Sequence, residues 1–241
     1  MIDETDLREE KAWWYRCLGE KAVHNLRRRN LTADFVPTAA EALPRIMGLI
    51  PEGATVGWGD SATLYQLGVF QELHRTRPGL VIDALHRDDN GVFVNRGPQR
   101  YELMRKAMTA DVFLSGINAV AADGRLVNVD ATGNRVAPTI FGPRMVIMVA
   151  GANKIVDNLE EALDRAKQAA AINARRHINK HNSADRFGDL PCVRTGQCAD
   201  CTNVNRICRF TVVIEGERPP GFMTDFKPRI HVVIVGEELG I

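Results

Sequence analysis

RMVIMVAGANKIVDNLEEALDRAKQAAAINARRH (residues 144–177) decides the fold class. After Arg144, seven residues run apolar with no alternation, as do strands buried on both faces of a parallel sheet. The rest repeats apolar residues at helical spacing and opens on Asp157 with Glu160 three positions later, a capping-box pattern. A buried strand feeding an amphipathic helix is the repeating unit of α/β proteins.

The same unit recurs on either side. Towards the N-terminus lie DVFLSG (111–116), LVIDAL (80–85) and an apolar segment at 54–57, separated by helical patterns from about Asp60 to His74 and from Pro98. Towards the C-terminus, RIHVVIVGEELG (229–240) supplies a last strand. Residues 4–30 read as a helix with Trp13, Trp14 and Tyr15 on or beside its apolar stripe, and TAAE (38–41) caps a second helix that Pro44 kinks or restarts. The expectation is a single α/β domain over 1–241, a mostly parallel sheet flanked by helices. N-terminal helices occupy 1–50, the α/β core 54–180, a small Cys-rich insertion 186–212, and a final strand at 228–241 returns to the core.

Composition narrows the function. The 31 basic and 30 acidic residues leave a net charge of +1, which offers no general attraction to nucleic acid or to acidic membranes. The run Arg27, Arg28, Arg29 reads as the solvated end of a helix. No stretch approaches the roughly 20 apolar residues of a membrane span, and the charged start (Asp3, Glu4, Asp6, Arg8) is unlike a signal peptide, so a cytoplasmic protein is expected.

Ligands of open α/β sheets gather where strands end and helices begin. Three segments qualify. GWGDS places Gly57, Gly59, Asp60 and Ser61 after the first strand, either as a tight corner with Asp60 as cap or as an anion cradle; it is neither a Walker loop nor a full dinucleotide fingerprint. The second is Gly116 and Asn118, followed by Asp123, Asn128 and Asp130 around an ADG hairpin turn. In the third, Gly133, Asn134 and Arg135, the arginine can fork onto a carboxylate or phosphate. Asn118, Asp130 and Lys154 are the candidate catalytic residues. Lys154 suits an anionic substrate or a Schiff-base carbonyl; its plain alternative is a solvated charge. The six histidines read as structural.

PCVRTGQCADCTNVNRIC holds Cys192, Cys198, Cys201 and Cys208 at the spacing C-x5-C-x2-C-x6-C. Four clustered thiols in a reducing compartment point to a metal rather than to disulfides. Zinc sites of four cysteines usually use two Cys-x-x-Cys knuckles and this segment has one, so an iron-sulfur cluster fits as well.

SGINAVAADGRLVNVDATGNRVAPTIFGP (115–143), followed by VAGANKIVDNLEEALDRAKQAAAINARRH (149–177) and preceded by the GWGDS turn, resembles the core signature of the LUD-domain family, the lactate-utilisation proteins of the LutC and YkgG type. The resemblance implies a fold similar to the NagB/RpiA/CoA-transferase-like group and a role linked to oxidation of lactate to pyruvate. In the isomerases of that group a glycine-serine or glycine-threonine turn holds a phosphate, a place GWGDS would occupy. Asn118 stands where those isomerases resemble this chain but carry a catalytic aspartate, and an amide accepts no proton at neutral pH. No glutamate lies in a loop that would present the CoA-transferase nucleophile.

Because lactate-utilisation proteins work alongside iron-sulfur partners, the resemblance favours [4Fe-4S] over zinc at the four cysteines, which mark a branch of the family. The reading is a binder of a small anionic metabolite that acts as an electron-transfer component with iron-sulfur or flavin partner proteins; a homodimer is left open. The alternatives are a sugar-phosphate isomerase-like or CoA-transferase-like enzyme with structural zinc, and a non-catalytic redox-sensing subunit.

Overall fold

A computed structural model describes residues 4–88, 90–221 and 227–241; residues 1–3 of the expected N-terminal segment lie outside the described residues. Helix α1 (Arg8–Arg28) carries Glu9 and Glu10 in its first turn and Arg27 and Arg28 in its last, charges that oppose the helix dipole's ends. Its buried residues, Gly19, Ala22, Val23 and Leu26, lie in its second half, and Tyr15 and Leu18 pack against the same core from partly buried positions. Trp13 and Trp14, expected on or beside an apolar stripe, are 63% and 52% exposed. The arginine run ends the helix with Arg27 and Arg28 exposed, as expected, but it is not free of contacts: Arg27 donates to Ala33 O, and the partly buried Arg29 to Asp123 O and Glu215 O.

Strand β1 (Thr32–Val36) follows, so residues 1–50 are not helical throughout. Five residues with Asp34 at their centre carry little strand pattern; pairing alongside the last strand of the chain makes them one. Thr38 caps α2 (Ala39–Leu49) by accepting from Glu41 N, and Pro44 sits inside one continuous helix. Then come β2 (Val56–Trp58), α3 (Ala62–Gln66) and α4 (Val69–Thr76). The helix expected over Asp60–His74 is thus two, divided at Gly68, whose φ of 71° lies in the left-handed region. Ser61, not Asp60, is the cap.

The chain continues through β3 (Val81–Ile82), α5 (Gly97–Ala107), β4 (Val112–Gly116), β5 (Ala119–Ala121), β6 (Leu126–Asp130), α6 (Ala137–Ile140), β7 (Met145–Gly151) and β8 (Ile155–Val156). Helix α7 (Leu159–His181) is capped by Asn158, which accepts from Glu161 N, one residue beyond the Asp157 and Glu160 pair read from the sequence. Short helices α8 (Ala184–Phe187) and α9 (Pro191–Thr195), then β9 (Phe210–Ile214) and β10 (Ile230–Val235), complete it.

Six strands form a parallel sheet in the order β1-β10-β7-β4-β2-β3. The last strand therefore lies inside the sheet, between β1 and β7. Its residues alternate between two cores. Val233 and Val235 join Ile147, Val149 and Leu114 beneath α2, α3 and α4, while Ile230, Val232 and Ile234 join Met148 and Phe113 on the opposite face, under α1. This two-sided burial is why β7 reads as an unbroken apolar run.

A second sheet, β8-β5-β6-β9, is mixed: β5 and β8 are parallel, the other pairs antiparallel. One of its faces joins the α1 core through Val120 and Leu126. The other meets α7, whose Ala162, Ala166 and Ala170 recur every four residues and let the helix lie close on Ala119, Ala121, Val127 and Val129. After β2 the chain turns onto one face of the main sheet, and after β4 onto the other. Ligand crevices open between adjacent strands whose connections part in this way. No helix among the described residues is long and apolar enough to cross a membrane.

Candidate functional site

A cavity of about 370 Å³ opens at the carboxyl ends of β2, β4 and β6, walled by α7 and by the segment between β3 and α5. Of the residues picked from the sequence, Asp60, Ser61, Gly116, Asn118, Asp130, Asn134, Arg135 and Lys154 line it. Gly57, Gly59, Asp123, Asn128 and Gly133 are not among its lining residues. Gly57 and Gly59 serve packing. A Cβ on Gly57 would stand 2.8 Å from the Ala107 backbone, and one on Gly59 2.4 Å from Arg135 Cγ. Asp123 lies at the distant hairpin turn, paired with Arg125.

Ser61 is buried and its hydroxyl accepts from Leu64 N at 3.3 Å. The GWGDS turn is thus the capped corner of a short helix and, through Asp60 and Ser61, one wall of the cavity. Asp60 reaches across to α7, where it accepts from Arg176 Nη2 and lies 3.6 Å from His177 Nε2.

Arg135 is a brace. It donates to Gly116 O (3.3 Å), to the Asn128 side chain (3.2 Å), to Asn118 Oδ1 (2.9 Å) and to Val129 O. Asn118 Oδ1 also accepts from Val129 N, and Asn128 Oδ1 from Asn118 N. Asp130 turns both oxygens inward, accepting from the backbone of Thr132, Gly133 and Arg135. The Asn, Asp and Gly residues that stand out in the sequence therefore hold the loops of β4, β5 and β6 to one another, with Arg135 as the cation at their centre. Burial lowers the Arg135 pKa, against the pull of Asp130 and Asp60.

Lys154 is 4% exposed; its amine donates to Thr63 Oγ1 (2.9 Å) and Ile117 O (3.1 Å). It is not a solvated charge. Burial, with Arg165 and Arg135 nearby, brings it down to about 7, so a neutral amine and its protonated form coexist near neutrality.

The remaining walls are residues that sequence reading passed over. Arg87 and Arg100 both stack on Phe93, 3.6 and 3.4 Å from the ring centroid. Burial first, then Arg87 and Arg186, lowers Arg100 to about 10. Among the described residues, Arg87, Arg100 and Arg186 have no carboxylate within ion-pair distance. His177 and His181 also face the cavity, and burial takes His177 down to about 4. His181 Nδ1 is buried without a hydrogen-bond partner. The signal for α7 was present in NARRH, since Arg176 and His177 share the helix with His181 one turn on. Arg87, Arg100 and Arg186 come from separate segments, and no spacing rule links them.

Comparison with known proteins bears on this cavity. The family model described as LUD domain matches residues 19–235. The chain belongs to the LUD-domain family. The match takes in every strand from β1 to β10 and every residue of the cavity except Ile241. A crystal structure of a DUF162 family protein from Deinococcus radiodurans aligns over 93% of this LUD-domain chain and 97% of its own, at 15% identity and a TM-score of 0.45. No curated protein matches the chain.

The four clustered cysteines of this LUD-domain protein line a second cavity, of about 250 Å³, with Lys167, Arg206 and Arg209. Cys192, Cys201 and Cys208 are partly buried, Cys198 exposed, and all are free thiols. Burial raises Cys192 and Cys208, and the other cysteines of the cluster push both further in the same direction. Such mutual opposition to ionisation is what a shared cation relieves. Asp200 N points at Cys198 Sγ from 3.4 Å, and Arg206 holds the loop through Cys201 O. The donor set and its cationic surround have the chemistry of a thiolate metal site, although among the described residues no three of these sulfurs lie within 4.8 Å of one another.

Proposed function

We propose that this LUD-domain protein is of the lactate-utilisation type and binds a small organic anion in the larger cavity. One observation carries the reading: Arg87 and Arg100, half-buried on the two sides of Phe93's contacts and unmatched by carboxylate, leave a surplus of positive charge beside the orphaned Nδ1 of His181. Guanidinium groups take carboxylates in paired hydrogen bonds, and a desolvated one favours an anionic partner. Asp130 is engaged by backbone amides and Asp60 by Arg176; Asp60 acts on Arg87 and Arg100 only from beyond ion-pair distance and offsets part of that surplus.

Within this reading the four cysteines hold a [4Fe-4S] cluster, with zinc as the other metal their donor set admits. A cluster at that place would supply one-electron transfer, which a redox role in organic-acid metabolism requires of some group. Arg206 and Arg209 would balance part of the thiolate charge.

Calorimetric titration with lactate, pyruvate and a sugar phosphate tests the cavity. At least one should bind, and Arg100→Ala should weaken it about tenfold or more, the loss of one charged hydrogen bond. Absence of binding by all three at millimolar concentration, or equal affinity in the variant, would overturn the assignment.

A further inference from the structure

One group of metal-ligating side chains lies outside both cavities' chemistry. His74 sits near the end of α4, Asp83 directly after β3, and His86 three residues later. Among the described residues, their ligand atoms form the group of three that lie within 4.8 Å of one another. We propose that His74, Asp83 and His86 bind a divalent transition-metal cation of the zinc and nickel class, with its remaining positions open to solvent.

The geometry converges on one oxygen. His74 Nε2 is 3.1 Å and His86 Nδ1 3.6 Å from Asp83 Oδ2. Ligands about 2.1 Å from a tetrahedral ion stand about 3.4 Å apart, so small side-chain shifts admit an ion. The other carboxylate oxygen is occupied, accepting from Leu85 N at 2.8 Å, and this fixes Oδ2 towards the histidines. Trp58 meets the His74 ring edge-on at 5.7 Å and limits its rotation. Two imidazoles and one carboxylate suit late first-row metals rather than calcium or magnesium, which favour oxygen alone. The side chains of His74 and His86 are 42% and 53% exposed, leaving an entry path and free coordination positions.

The ligands come from two elements, so the ion would pin the segment after β3 to α4. That segment continues into Arg87 and Phe93 of the larger cavity. The metal assignment does not depend on what the cavity binds.

Nickel is the probe, titrated into the full-length protein with bound metal counted by equilibrium dialysis and tryptophan emission followed in parallel. Beyond any nickel taken up by the cysteine segment, wild type should bind one nickel that quenches Trp58, beside His74. His86→Ala and Asp83→Asn should each weaken that nickel about 100-fold or more, beyond what a lost partner behind a ligand costs. The metal content of the cysteine segment should not change. His86→Ala removes only a half-exposed ring, so it keeps the test valid if Asp83→Asn unfolds. Unaltered nickel affinity in His86→Ala, or nickel bound without quenching of Trp58, would overturn the proposal and leave the group an ion pair.

Discussion

Lys154 shows most clearly how one residue's role depends on what surrounds it. On the sequence it is a lysine near a helix start; in the fold it is a buried amine between Thr63 and Ile117 O, with Arg165 and Arg135 adding repulsion. Its folded value of about 7 lies below the ordinary 10.5, so between those values the unfolded chain binds more protons than the native one. Stability contributed by this site therefore rises with pH from about 7 towards 10.5, the penalty being full below 7. Urea unfolding of wild type and Lys154→Met at pH 7, 8 and 9 should show a rising slope that the variant lacks; parallel slopes would mean the amine stays charged. Arg135 makes the converse point. Its sequence context reads as a ligand arm, yet the structure spends its guanidinium on Gly116, Asn118, Asn128 and Val129.

At the scale of elements, capping and periodicity carried far. The α7 pattern was legible because its apolar face repeats, and its cap lies one residue from the expected position because Asn158, not Asp157, accepts from the first turn. Strands β1 and β9 were not legible: each is five residues long, partly exposed, and becomes a strand by pairing with a distant partner, β10 or β6. The cysteine segment was legible by spacing alone, and the structure gathers its four thiols around one cavity. Anaerobically purified protein should contain iron and sulfide, with Cys201→Ser losing most of both. Colourless protein with stoichiometric zinc, lost in the same variant, would assign the site to zinc instead.

Across the whole molecule, α7 ties the two sheets into one unit. Its alanine stripe lies on the small sheet, and its Arg176 reaches Asp60 at the end of β2 in the large one. Asp60→Asn should reduce unfolding free energy by about 1–3 kcal/mol, because it leaves a partly buried guanidinium without its anion. The same change removes a negative charge from the cavity, so anion affinity should hold or increase. Stability lost together with anion affinity would show that Asp60 positions the ligand. The split between what is encoded locally and what is assembled also follows this scale. From its sequence the chain is recognisable as α/β, as a resemblance to the LUD-domain family and as a carrier of four clustered cysteines, since apolar runs, caps and Cys spacing act over a few residues. Only tertiary structure decided that β10 lies inside the sheet, that the polar loops after β4 and β6 brace one another, and that Arg87, Arg100, Arg176 and Arg186 share one cavity. Those outcomes depend on which strands pair and which helices cross, and long-range packing brings Arg87 and Arg186, about a hundred residues apart, to one cavity.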